Sequence, residues 1–222
     1  KRMLENFNEY MPLLLEGAKI TVLLCVITLV FALPLGIPFA LGVRSRIKPI
    51  KYLCECYVLI FRGTPLLLQL WFFYYLFPMY LGIQVDEFET AAFAFVLNYA
   101  AYFAEIYRGG INSIDKGQYE AAFALGVPRW RTMKDIILPQ AMKAMLPPIA
   151  NEAIVLIKDT ALASAITLMD IMKVSQAVVS RNSDIKIFLY AAVIYLILTG
   201  ITTIIAKRIE KRFSRHVQRE EN

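Results

Sequence analysis

Long uncharged runs alternate with short charged segments along this chain, and their lengths predict an all-α integral membrane protein. Residues 20–43, ITVLLCVITLVFALPLGIPFALGV, hold no charged side chain. A bilayer core of roughly 30 Å is crossed by about 20 apolar residues in helix. A helix apolar on every face for that length has no use in a soluble fold. Windows of this kind predict about five spans, over about 18–43, 59–81, 89–108, 141–165 and 185–206. Ahead of the first, Leu4, Phe7, Met11 and Leu14 recur at helical spacing, with Glu5, Asn8 and Glu9 between them. That pattern predicts a short amphipathic helix on the outer membrane surface within residues 1–17. Prolines punctuate the spans. Pro34 and Pro38 predict kinks in the first, and Pro147–Pro148 a kink or a pathway-lining break in the fourth. Gly63 and Pro65 predict a bend where a short helix meets the second span.

The charges between the runs set an orientation. RSRIKPIK at 44–51 is basic without an acid, and Lys207, Arg208, Lys211, Arg212, Arg215 and Arg219 make the tail 207–222 basic. The insert after the third span adds Arg108, Lys116, Arg129, Arg131, Lys134 and Lys143, whereas GIQVDEFE at 82–89 has three acids and no base. The positive-inside rule therefore predicts an external N-terminus, a membrane-spanning body over 18–206 and a cytoplasmic C-terminus. Composition adds little to this. The +6 net charge gathers at the ends of apolar runs, which argues against a nucleic-acid partner. Cys25, Cys54, Cys56 and the single His216 form no metal-ligand spacing, and neither G-x-S-x-G nor a zincin motif is present. No metal, no bound cofactor and no catalytic residue is expected.

The insert, about 112–139, is the anomaly: a compact charged segment between two greasy ones. Its core reads YEAAFALGVPRWRTMKDIILPQA, residues 119–141. Helix formers run from Glu120 to Leu125, and Gly126 suits the left-handed turn that ends a helix. Pro128 suits the first turn of a second helix, and Pro139 predicts its end. A helix–turn–helix between membrane spans, with Trp130, Ile136, Ile137 and Leu138 giving it an apolar side, points to a protein partner rather than DNA. The chain also lacks G-x-x-x-x-G-K-[ST], so it has no phosphate-cradling loop of its own.

The spacing Glu120-Ala121-Ala122, three residues, Gly126, nine residues, Ile136, one residue, Leu138-Pro139 resembles the EAA loop of ABC-importer permeases. FRGTPLLLQLWFFYY at 61–75, AYFAEIYRGGI at 101–111 and NEAIVLIKDTALASAI at 151–166 resemble the polar-amino-acid branch of that family, in family order. The resemblance covers most of the chain and implies a type I importer permease fold in a bacterial cytoplasmic membrane. It implies that Tyr119, Glu120, Ala121, Ala122, Leu125, Gly126, Arg129 and Trp130 form a coupling helix and turn that dock on a separate ATP-binding subunit. It further implies a second permease subunit, identical or related, and an external solute-binding protein.

Polar residues inside the spans suggest where cargo passes. A mid-bilayer charge costs roughly 2.5–3.5 kcal/mol on insertion scales, so such residues face partners or water. Asn98, Tyr102 and Glu105 share one face of the third span, and Glu152 and Asp159 share one face of the fourth, next to Asn151. Carboxylates there can pair with a guanidinium or ammonium, and Asn98, Tyr102 and Asn151 can hydrogen-bond an amino-acid backbone. The pattern points to arginine, lysine or histidine, with glutamine or glutamate as alternative cargo. Other readings stand beside it. Glu105 near Arg108, and the pair Lys158–Asp159, can be structural ties, and Arg62 can snorkel to lipid or stabilise a gate. Glu105, Glu152 and Asp159 can also form the proton relay of an ion-coupled secondary transporter or channel.

Overall fold

The computed structural model describes residues 2–214, with side chains over 8–213; Leu4 and Phe7 of the predicted amphipathic face, and Arg215, His216 and Arg219 of the tail, lie outside the described side chains. All the described regular structure is helical. In chain order it comprises α1 (Arg2–Val43), α2 (Lys48–Gly63), α3 (Leu66–Tyr80), α4 (Glu87–Asn112), α5 (Lys116–Ala124), α6 (Arg129–Arg131), a π-helical stretch (Thr132–Ile137), α7 (Leu138–Asp159), a 3₁₀ stretch (Thr160–Ile166), α8 (Ile171–Asn182) and α9 (Lys186–Ser214).

The hub is α4. Ala91, Ala94, Ala100, Ala101 and Ala104 let neighbours approach, while Phe95, Tyr99 and Phe103 fill the space between them, all buried. Helix α1 lies along it. A Cβ built on Gly36 would sit 2.9 Å from the Phe103 Cβ and 3.1 Å from the Ala100 carbonyl oxygen and the Ala104 nitrogen, so backbone meets backbone at this crossing. Gly36→Val should destabilise the fold by about 2 kcal/mol, read as a lower thermal midpoint in detergent. Gly200→Ala, which meets nothing within 4 Å, should leave the midpoint unchanged or raise it.

Two helical segments, Asn8–Val43 and Lys186–Phe213, are each long and apolar enough to cross a membrane, and α2 with α3 forms a third, bent by 107°. Polar residues of α4 and the carboxylates Glu152 and Asp159 of α7 line one cleft, described below. The outer surfaces are apolar where lipid would lie: Phe31 is 58% exposed and Leu196 72%.

Several elements depart from the sequence pattern. The N-terminal segment is not a separate helix, because α1 runs unbroken from Arg2. Tyr10, Leu14 and Ala18 continue one stripe that packs on Ile171, Val174, Ile187 and Ala191 of α8 and α9, so the segment is held by protein. Helix α7 passes through Pro147 and Pro148, and the departure from α-geometry comes at Thr160–Ile166 instead. Each proline removes one backbone bond, and the buried Ala141, Met145, Leu156 and Ile157 anchor the flanking turns. Nor does the second insert helix stop at Pro139. The π turn donates from Leu138 N to the Met133 carbonyl, and the chain runs straight into α7. Pro139 then falls in the first turn of α7, where its missing N–H costs little. The expected second span, 59–81, is really α2 and α3 meeting at Thr64, which is extended (φ −116°, ψ 148°) as the residue before a proline prefers. The sequence reading placed no helix between the fourth and fifth spans. Asp170 caps one there, its Oδ1 accepting from Lys173 N at 2.8 Å, and Ile171, Val174 and Val178 bury its inner face.

Candidate functional site: a cleft at a broken span

The bend between α2 and α3 lines a cleft. Arg62, Gly63, Thr64, Pro65 and Leu66 form one wall, Asn98, Tyr99 and Tyr102 of α4 the second, and Glu152, Val155 and Asp159 of α7, with Leu162, the third. Its volume is about 560 Å³, which falls within the range of small-molecule sites. Irregular backbone at membrane depth is tolerated where it lines such a cavity and its polar groups are satisfied. Here two amides satisfy them. Asn98 Nδ2 donates to the Phe61 carbonyl at 2.8 Å and to Gln69 Oε1 at 3.0 Å. Gln69 Nε2 donates to the Phe61 carbonyl at 3.0 Å, the Thr64 carbonyl at 3.2 Å and Thr64 Oγ1 at 2.9 Å.

The charged walls are arranged asymmetrically. Glu152 and Asp159 lie on α7, both part-buried, and neither forms an ion pair among the described residues. The Tyr99 hydroxyl donates to Asp159 Oδ2 at 2.8 Å. Facing them at the break, the Arg62 guanidinium carbon stands 5.3 Å from the centre of the Tyr102 ring. The cleft thus offers two carboxylates on one side and one guanidinium on another.

Of the six residues expected to meet cargo, the cleft gathers Asn98, Tyr102, Glu152 and Asp159. Asn98 is only 4% exposed, and its amide is engaged in bracing the break. Asn151 is exposed and outside the lining, because one residue of helix rotates the side chain about 100° from Glu152. Glu105 lies in an adjoining cleft with Arg62, Gly63, Tyr102, Glu55 and Arg108, and is bonded to Arg108 through both carboxylate oxygens. The sequence reading did not single out Tyr99 or Gln69 as site residues. Gln69 had a signal, being the one amide in the apolar run LLLQLWFFYY.

The insert forms a second surface. Gly126 adopts φ +71°, Val127 N donates to the Ala122 carbonyl at 2.9 Å and Gly126 N to the Phe123 carbonyl at 3.0 Å, a Schellman-type end to α5. Phe123 is 79% exposed, Leu125 81% and Trp130 61%, whereas Ala122 is buried against the insert itself. Tyr119, Glu120, Phe123, Val127, Arg129, Thr132 and Met133, with Arg44 and Arg46 from the first loop, line a hollow of about 590 Å³. The insert rests on the bundle through Tyr119, Met133 and Ile137 packed around Ile111, Ala141 and Met145. Large apolar side chains so exposed on a charged element mark a docking surface.

A membrane bundle with a polar cleft at a broken helix and a projecting, apolar-tipped insert defines the transmembrane half of a transporter. Residues 32–215 match the family described as binding-protein-dependent transport system inner membrane component. The arginine transport system permease protein ArtQ of Bacillus subtilis is 44% identical over 90% of this chain and 92% of its own length. A Rickettsia bellii protein, GlnP, named for a glutamine transport system permease, is 41% identical over 93% of this chain and 95% of its own. The crystal structure of an amino acid ABC transporter with histidines superposes with a TM-score of 0.87 at 34% identity, over 93% of this chain and 97% of that one. The chain belongs to the family of binding-protein-dependent inner membrane components. It is a permease subunit of an amino-acid ABC importer, with the type I permease fold, a multipass place in the inner membrane and its ATPase on a separate subunit. The family also implies a solute-binding protein and a second permease subunit. Membership sets aside the ion-driven transporter or channel.

Proposed function

We propose that this permease carries basic amino acids, with Glu152 and Asp159 receiving the cationic side chain. The observation that carries this reading is the pair of part-buried carboxylates on α7 without an ion-pair partner among the described residues, facing one guanidinium across the cleft. Partly buried charge is costly unless paired, so the α7 wall of the cleft favours a cationic ligand. An amino acid with a cationic side chain, such as arginine, lysine or histidine, supplies that charge. Resemblance to an arginine permease supports it, and resemblance to a glutamine permease supplies the competing cargo. The N-terminus lies outside and the C-terminus in the cytoplasm. Residues Tyr119 to Trp130 receive the ATP-binding subunit, with Phe123, Leu125 and Trp130 as its apolar contacts.

The test is uptake of labelled arginine into liposomes containing the complete importer. Lysine and histidine are expected to compete, and glutamine, glutamate and citrulline to compete at least tenfold less well, about 1.4 kcal/mol. Competition by glutamine as strong as by lysine overturns the basic-cargo reading.

A further inference from the structure

The two clefts beside the α2–α3 break share Arg62, Gly63 and Tyr102 and no other lining residue. On α4 the first takes Asn98, Tyr99 and Tyr102, and the second takes Tyr102, Glu105 and Arg108. Tyr102 is therefore the boundary, and the second cleft is the one toward the insert, where α4 ends at Asn112 and the first loop begins at Arg44. Arg62 lies against the Tyr102 ring at that boundary. A carboxylate lines the cleft on each side of it: Glu152 the first and Glu105 the second.

We infer that Arg62, lying against Tyr102, is a cargo-sensitive septum that closes the recognition cleft toward the insert side and withdraws toward Glu105 when a cation occupies Glu152. The inference rests on the basic-cargo reading for its trigger, but the septum itself does not. Arg62 is the one cationic residue lining the first cleft with Glu152, and the Tyr102 ring attracts its guanidinium at the boundary. A cationic side chain arriving at Glu152 and Asp159 replaces Arg62 as their counter-charge. Arg62 is then drawn to the carboxylate on the far side. Glu105 already binds Arg108 by a fork of two hydrogen bonds, and Arg62 lines the same cleft as both. Neutral cargo leaves Arg62 where it was. Selectivity would then arise at the passage step as well as in binding, and Arg62 would be a specificity-determining residue.

The test reads access rather than transport. In the complete complex, carrying Cys56→Ser to remove the exposed native thiol, Leu66→Cys places a reporter in the first cleft on the α2–α3 wall, away from the α7 carboxylates that receive cargo. A membrane-impermeant maleimide is applied from the insert side. Labelling should rise about fivefold on adding Arg62→Gln, which is about 1 kcal/mol, the worth of a cation–π contact whose cation is exposed. Tyr102→Ala should do the same, and serves where Arg62→Gln fails to assemble. Labelling unchanged by both substitutions overturns the septum. With Arg62 intact, arginine should speed labelling and citrulline should not; equal effects of the two overturn the cargo trigger. Failure of the basic-cargo reading shows separately, as competition by glutamine in uptake, and leaves the maleimide result for the septum standing.

Discussion

Replacing Gly126 with valine is expected to cut ATP-driven uptake at least tenfold while the chain still inserts in the membrane. Gly126 sits at φ +71°, and nothing lies within 4 Å of where its Cβ would be. Space is therefore not the obstacle; the left-handed backbone is. That conformation costs an ordinary L-residue about 1–2 kcal/mol, and a β-branched one more. The strain is relieved by opening the turn, which breaks the Val127-to-Ala122 and Gly126-to-Phe123 hydrogen bonds. Phe123 and Leu125 on one arm then lose their fixed relation to Trp130 on the other. The apolar tip of the insert then no longer holds one fixed shape. Gly126→Asn, which tolerates the left-handed region, should keep most of the uptake. The readouts are uptake, copurification of the ATP-binding subunit and its ATPase rate. Full coupling in the valine variant, with normal subunit recovery, would remove the insert from the docking role.

That turn was also the most legible part of the molecule. A glycine between two helix-forming stretches, followed by Pro128, has few conformational options, so residue chemistry alone marks it. The bend at Gly63–Pro65 was marked in the same way, but its 107° angle was not. The freed Phe61 carbonyl is held by Asn98 on α4, a partner remote in sequence, and by Gln69 on α3. The π turn at 132–137 left no mark at all, because no residue type signals a bond from i to i+5. Helical spacing put Glu152 and Asp159 on one face, and they do share a wall. Spacing says nothing about what lies opposite. Hence Arg62, a lone arginine ending an apolar run, read equally well as a lipid anchor, and Asn151 read as a neighbour of Glu152 although it is turned away. Helix α8 was missed because its run is short and mixed in polarity, although Asp170 and the Ile171–Val174–Val178 spacing were there to be read.

The second large effect concerns Glu152. Truncating one member of a desolvated charge pair costs 2–5 kcal/mol, so a part-buried carboxylate in an open cleft belongs at about 2 kcal/mol. Glu152→Gln should therefore lower kcat/KM for arginine about thirtyfold. Asp159→Asn should cost less, because one of its oxygens accepts from Tyr99 at 2.8 Å and is only partly available. If both carboxylates hold one cation, the double variant should depart from the product of the single effects, as residues sharing a partner do. Independent effects would mean separate roles, Asp159 tying α7 to α4 through Tyr99 and Glu152 alone meeting cargo. Charge and not shape should decide the outcome, since Gln keeps the volume of Glu. Uptake of a neutral amino acid, if any is carried, should then fall little in the same variant. Arginine uptake unchanged by Glu152→Gln at normal expression would move the cargo site out of this cleft. The septum at Arg62 would then still divide the two clefts, but without the charge that tells it when to open.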